Sequence, residues 1–207
     1  MEVATGSIAG GILYRSGSPL TGGDAKEIKE ALATKANINC VINLANYRSV
    51  IENLSKDILW YRRLVAEKKV ICLPMTLTIP GVASNEKKLK TALQFMISNE
   101  GPYLIHCFAG ADRTGFVIML LEALMGASLK EIITTYISAF LFDDSDSSRI
   151  ESHRNINGFL NQMKKMFHVD NIFETNLQSA AEYYLLNNIQ LSNDEVAKLK
   201  NMLSVTS

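Results

Sequence analysis

The chain has 207 residues, 47% of them hydrophobic and 20% charged, a composition ordinary for a globular protein and long enough to bury a full core as one domain over residues 1–207. Lysine plus arginine and aspartate plus glutamate each number 21, so no overall positive field draws the chain to nucleic acid or anionic membrane. Three cysteines, Cys40, Cys72 and Cys107, are too few and too odd in number for a disulfide framework and point to a reducing compartment. No run of about 18 apolar residues and no charged-then-apolar leader is present, so neither a membrane span nor a signal peptide is expected. A cytoplasmic location follows, with leaderless secretion left open.

In chain order, short apolar runs at Ile12–Arg15, Asn39–Leu44, Val70–Leu73 and Tyr103–His106 predict strands. Between them, Asp24–Ala33 and Asn85–Ser98 predict helices. This alternation predicts an α/β fold whose central sheet has four or five strands, parallel or mixed, flanked by helices. Phe116–Met125 is almost entirely apolar and stops at Gly126, as a buried helix with a glycine stop does. From there the pattern is helical to the C-terminus, and Ser128–Glu131 and Ser192–Glu195 both fit a capping box. The segment Asp143–Ser148, DDSDSS, reads as a loop, and Met163 and Met166 as core packing. Tyr61, Arg62 and Arg63 make a basic-aromatic patch whose better reading is solvated surface. Lys87, Lys88 and Lys90 predict one exposed helix face, with a pocket border as the alternative. His153 and His168 lack ligand-spaced partners, so no metal or other cofactor is expected.

The ten residues His106–Gly115, HCFAGADRTG, join the last predicted strand to the buried helix and so lie at a helix N-terminus. Gly110 and the small Ala109 and Ala111 let the backbone curl. The amides of Phe108, Ala109, Gly110, Ala111, Asp112 and Arg113 can then face one centre and bind an anion, helped by the helix dipole. Such a nest also favours a thiolate, which makes Cys107 a candidate nucleophile. Arg113 supplies a planar fork for two phosphate oxygens, a geometry lysine does not provide. Thr114 is placed to hydrogen-bond the sulfur and help it leave, and His106 to orient the loop through its ring. A core cysteine and a surface arginine at chance spacing is the bland alternative. The strand, the small residues and the apolar helix, all in register, weigh against it.

On those residues the chain resembles the cysteine-dependent phosphatases of the protein tyrosine and dual-specificity superfamily, whose signature is H-C, five residues, then R-[ST]. HCFAGADRTG is most similar to the loop of atypical bacterial tyrosine and lipid phosphatases, which carry an aspartate immediately before the arginine. LYRSGSP at 13–19, CVINL at 40–44 and LSNDEVAKLKNML at 191–203 extend the resemblance over nearly the whole chain. It implies a tyrosine-phosphatase-like fold with a helical C-terminal half.

Such chemistry needs a general acid for the leaving oxygen. Most of the superfamily places an aspartate on a mobile loop upstream of the cysteine, but no aspartate occurs here between Asp57 and Asp112, and LPMTLTIPGVAS at 73–84 holds no acid. Asp112 matches the loop aspartate of the resembled subfamily and is the expected acid; its alternative is a cap on the following helix. Two positions depart from the subfamily. Asn43, Leu44 and Ala45 stand where D-L-R is usual, with Arg48 the nearest arginine, and Ala111 stands where several relatives have lysine. Cys72 would meet Cys107 if their strands pair, forming a protective disulfide under oxidation; inert core is the commoner fate of such a residue.

The expected activity is metal-independent phosphomonoester hydrolysis on phosphotyrosine, with phosphoserine, phosphothreonine or lipid phosphate as side substrates, through a phosphocysteine intermediate. The partner is then a phosphorylated protein or a phosphoinositide. The alternatives are a phosphoinositide or inositol phosphate phosphatase using the same loop, and a phosphate-binding pseudophosphatase without turnover.

Overall fold

The structure is a computed structural model that describes residues 1–21, 28, 31–32, 36–76, 83–139 and 146–204. Its sheet has five strands: β1 (Glu2–Val3), β2 (Leu13–Ser16), β3 (Cys40–Asn43), β4 (Val70–Cys72) and β5 (Tyr103–His106). They lie in the order β1-β2-β5-β3-β4, with β1 antiparallel to β2 and the other pairs parallel. The sheet is thus mixed. Among the described residues, eight helices follow in chain order: α1 (Arg48–Leu54), α2 (Leu59–Ala66), α3 (Ala83–Ile97), α4 (Asp112–Leu124), α5 (Leu129–Ser138), α6 (Asp146–Phe167), α7 (Leu177–Asn187) and α8 (Asn193–Ser204).

The two central strands are buried along their whole length, including the polar Asn43 and His106 at their C-terminal ends, because a parallel sheet between helical layers has no solvent face. Alternate side chains serve two cores. Leu13, Ile42 and Ile105 join α3, α4 and the C-terminal helices in the larger core, whereas Val41, Leu104 and Val70 pack with Ile51 of α1 and with Tyr61 and Leu64 of α2. Every residue of α4 from Thr114 to Leu124 is buried, and α4 packs against α5 and α7 while α3 packs against α8. Where the chain crosses the C-terminal end of α4, Gly6 adopts φ +55°, and a Cβ there would lie 2.5 Å from the backbone nitrogen of Ala127. Only glycine permits that conformation and that approach.

All four predicted strands are present within a residue or two of their expected bounds, and α3 with them, whereas α4 starts at Asp112, four residues before the expected Phe116. Ser128 caps α5 in a complete capping box. At α8, Ser192 and Glu195 exchange the same pair of hydrogen bonds, 2.8 and 3.1 Å. Met163 and Met166 are fully buried. Most of the helix expected over Asp24–Ala33 lies outside the described residues. The loop expected over Asp143–Ser148 is corrected in its second half, since Asp146, Ser147 and Ser148 already belong to α6; an acidic residue and serines open a helix as readily as they fill a loop. Strand β1 and helices α1 and α2 have no counterpart among the predicted elements.

Candidate active site

The register of the parallel strands brings Ser16, His106, Asn43 and Cys72 level across the C-terminal edge of the sheet. That edge is where open α/β sheets place their ligands. Strand β5 delivers the chain there, residues 107–111 turn, and α4 begins at Asp112. Cys107 is 2% exposed, and its Sγ accepts the Gly110 N–H at 3.3 Å. Gly110 has φ +77°, and a Cβ on it would stand 2.5 Å from the backbone of Ser16 and Gly17. Both its dihedral and its surroundings therefore demand glycine. Behind the loop runs the end of β2, where the Ser18 N–H donates to the Phe108 carbonyl at 2.9 Å. Phe108 itself projects outward, 61% exposed.

A buried polar chain fixes the residue before the cysteine. Oδ1 of Asn43 accepts the N–H groups of Ala45 and Asn46, both at 2.9 Å, so its amide NH2 points the other way and donates to the Tyr61 hydroxyl at 3.2 Å. Tyr61 Oη lies 3.1 Å from Nε2 of His106, and Nδ1 of His106 lies 3.3 Å from the Cys107 carbonyl. A carbonyl only accepts, so Nδ1 carries the proton, Nε2 accepts, and Tyr61 donates to it. Burial pushes the imidazole down to about 4, so the ring is neutral near pH 7 and does not serve as a cation beside the sulfur.

Arg113 is half-buried. Its Nη1 donates to the carbonyls of Leu44, 3.1 Å, and Met75, 3.4 Å, just past the ends of β3 and β4, while its buried Nε has no hydrogen-bond partner. Thr114 is fully buried, and its Oγ1 makes no hydrogen bond; the sulfur's donor is the Gly110 amide instead. Asp112 is exposed at the first position of α4, and its Oδ1 accepts the Tyr136 hydroxyl at 3.4 Å. The residue that caps the helix is Ala111, which has no side-chain cap.

A model of the tyrosine phosphatase family matches residues 2–205. The chain belongs to that family. As a tyrosine-phosphatase-family protein it is a phosphoric monoester hydrolase with an α/β fold. No curated protein matches it significantly. Among solved structures, the core catalytic domain of the PP-IP phosphatase SIW14 from S. cerevisiae, in complex with citrate, is 22% identical with a TM-score of 0.43, over 75% of this chain and 96% of that one. So loose a likeness carries no argument about substrate. No described helix is long and apolar enough to cross a membrane, and no group of three or more His, Cys, Asp or Glu among the described residues is placed to hold a metal ion.

The turn between β5 and α4 thus gathers His106, Cys107, Phe108, Ala109, Gly110, Ala111, Asp112, Arg113 and Thr114, and the structure corrects several neighbours. Tyr61 is not solvated surface: it is fully buried under β3 and β5, and only Arg62 and Arg63 are exposed. Its spacing with Ile58, Leu64 and Val65 is the apolar stripe of a helix, a signal the adjacent arginines mask. Cys72 does not meet Cys107, because β3 lies between their strands. Lys87 is exposed, but Lys88 and Lys90 are half-buried and donate to the carbonyls of Pro74 and Gln190. Arg48 turns along its own layer, to Glu52 and to the Val65 carbonyl.

The residue missed altogether is Arg15. It is 2% exposed at the end of β2, and its guanidinium donates to the carbonyls of Thr135 at 3.0 Å, Gly110 at 2.7 Å and Ala111 at 3.3 Å. An arginine in the buried phase of an alternating strand, Leu13 in and Tyr14 half out, was its signal: a charge placed there must have partners.

Proposed function

We propose that this phosphatase hydrolyses phosphotyrosine esters without a metal, through a phosphocysteine intermediate. The observation that carries the reading is the position of Cys107 Sγ. It sits inside a turn at the sheet's C-terminal edge, held by the Gly110 amide and facing the start of α4. In the first step the Cys107 thiolate attacks phosphorus, an S–P bond forms, and the P–O bond to the aryl group breaks. Asp112 gives its proton to the departing phenolate oxygen. In the second step Asp112 accepts a proton from water, whose oxygen displaces the sulfur, releasing inorganic phosphate and the thiolate. Loop amides and Arg113 stabilise the equatorial oxygens in both steps. With the Nη1 corner of Arg113 tied to Leu44 and Met75, its Nε–Nη2 edge is the one presented to phosphate.

An aryl phosphate suits the mouth better than a polyanionic headgroup, because Phe108 offers an exposed ring, Ala111 brings no charge, and Arg48 is turned away. The deciding experiment sets a phosphotyrosine peptide beside phosphoinositides and inositol phosphates, with chelator present throughout. Preference for the peptide is expected, with no loss on chelation. Preference for the inositol compounds would overturn the substrate class while keeping the loop chemistry. Cys107→Ser should abolish turnover yet still bind the ester, since a hydroxyl ionises far less readily than a thiol. Residual activity above about 1% would sink the covalent route.

A further inference from the structure

The arginine that the phosphate chemistry leaves unused is Arg15, and it lies directly behind the loop. On the reading that the 107–113 loop holds the phosphoryl group, we infer that Arg15 is a positioning residue which aims the Ala111 and Asp112 amides at the phosphate by holding the loop carbonyls from the far side.

The planarity of the peptide unit decides where those amides point. In a trans peptide the C=O of one residue and the N–H of the next point in opposite directions. Arg15 Nη2 draws back the Gly110 carbonyl at 2.7 Å and the Ala111 carbonyl at 3.3 Å. The amides sharing those peptide planes belong to Ala111 and Asp112, so they must face away from Arg15, toward the open side of the turn. Gly110 has a positive φ, outside the helical region, and the carbonyls of Gly110 and Ala111 that follow it are both held by this guanidinium. The Ala111 carbonyl also accepts the Gly115 N–H at 2.6 Å, so the same peptide ties the turn to the first bonds of α4.

Arg15 is itself fixed by groups from other elements. Nη1 donates to the Thr135 carbonyl in α5 at 3.0 Å, and the buried Glu122 of α4 lies close enough to favour the guanidinium's charge. Thr5 holds that carboxyl at 2.9 Å. A lysine in this place has one ammonium and no fork, so it cannot hold both loop carbonyls and the Thr135 carbonyl in one plane. Arg15 makes no hydrogen bond to the Cys107 sulfur, although the two lie close enough for their charges to interact. Its hydrogen bonds reach the loop through the backbone carbonyls alone.

The test compares Arg15→Lys and Arg15→Met with wild-type enzyme, reading inhibition by inorganic phosphate alongside turnover of an activated aryl phosphate. Both variants should bind inorganic phosphate at least about tenfold more weakly, with a parallel fall in kcat/KM, and lysine should restore part of what methionine loses. If Arg15 merely fills space, the methionine variant keeps wild-type phosphate inhibition, and that result overturns the inference. Should neither variant fold, the wild type alone decides. Hydrogen exchange with and without inorganic phosphate should show protection at the Ala111 and Asp112 amides, and protection elsewhere in the loop but not at these two overturns the inference. A wild-type enzyme indifferent to phosphate, with no loop amide protected, defeats the loop reading itself and this inference with it.

Discussion

Asp112 carries the least conventional role proposed for this loop, and its surroundings make that role measurable. Its carboxyl is open to solvent and meets Tyr136 at 3.4 Å, whose ring stacks on Phe159 with centroids 3.9 Å apart. Asp112→Asn should slow hydrolysis of a poor leaving group such as phosphotyrosine by roughly 10²–10⁴-fold and leave an activated aryl phosphate far less affected, because only the first needs a proton. Equal small losses on both substrates, with a lower melting temperature, would make Asp112 a helix-terminal charge and send the search for the acid to Glu86.

At the scale of the elements, the parts legible in sequence were those governed by local rules. Strands β3 and β5 announced themselves as short apolar runs, α4 as a long one, and α5 and α8 by the serine and glutamate that cap them. The loop was legible because its residue types have few other uses. Strand β1 was not, since two residues carry no period and its identity depends on pairing with β2. Helices α1 and α2 have no acidic first turn and no side-chain cap, so their ends are set by packing on the sheet rather than by their own residues. Arg15 and Tyr61 were missed for a related reason. Their partners lie 95 and 45 positions away in the chain, and no local pattern reports such a contact. Tyr61→Phe tests the second of these: it leaves His106 Nε2 without a partner and the Asn43 amide with only Asn46 Oδ1 at 3.4 Å, and should cost about 1–3 kcal/mol of stability in chemical denaturation. A variant as stable as the wild type would show that the Asn43–Tyr61–His106 chain contributes nothing to holding β3, α2 and β5 together.

For the molecule as a whole, two buried groups set opposing responses to pH. His106 is pushed by burial from 6.5 down to about 4, so the unfolded chain takes up the proton first and stability falls as the pH drops from 6.5 toward 4. Glu122 is raised by burial from 4.5 to about 7. The folded state holds its proton longer, so stability falls as the pH rises from 4.5 through 7. Between 4.5 and 6.5 the two trends oppose one another. Above 6.5 only the glutamate remains. Unfolding free energies measured across pH 4–9 should therefore show a decline near neutrality that Glu122→Gln removes, leaving a rise from pH 4 to 6.5 and a plateau beyond. A decline near neutrality that persists in the glutamine variant would place the titrating group elsewhere.

The strand order also bears on how the proposed nucleophile, Cys107, would meet oxidants. Cys107 follows β5 and Cys72 ends β4, with β3 between them. At about 4.8 Å per strand their backbones stand roughly 10 Å apart, beyond the ~7 Å a disulfide spans. Cys40 opens β3 opposite Tyr103, at the far end of the sheet. Burial pushes the Cys40 and Cys72 thiols up to about 12 and 11, so neither is a ready nucleophile. A sulfenic acid formed on Cys107 by peroxide consequently has no resolving thiol within its own chain. It is then either closed onto a backbone nitrogen as a sulfenamide or capped by a small thiol in solution, both reversible, or it proceeds to the irreversible sulfinic state. Cys72→Ser should be inactivated by peroxide, and reactivated by added thiol, at the wild-type rates. Faster irreversible loss in that variant would mean that Cys72 reaches Cys107 after all, through a backbone movement that carries the end of β4 across β3.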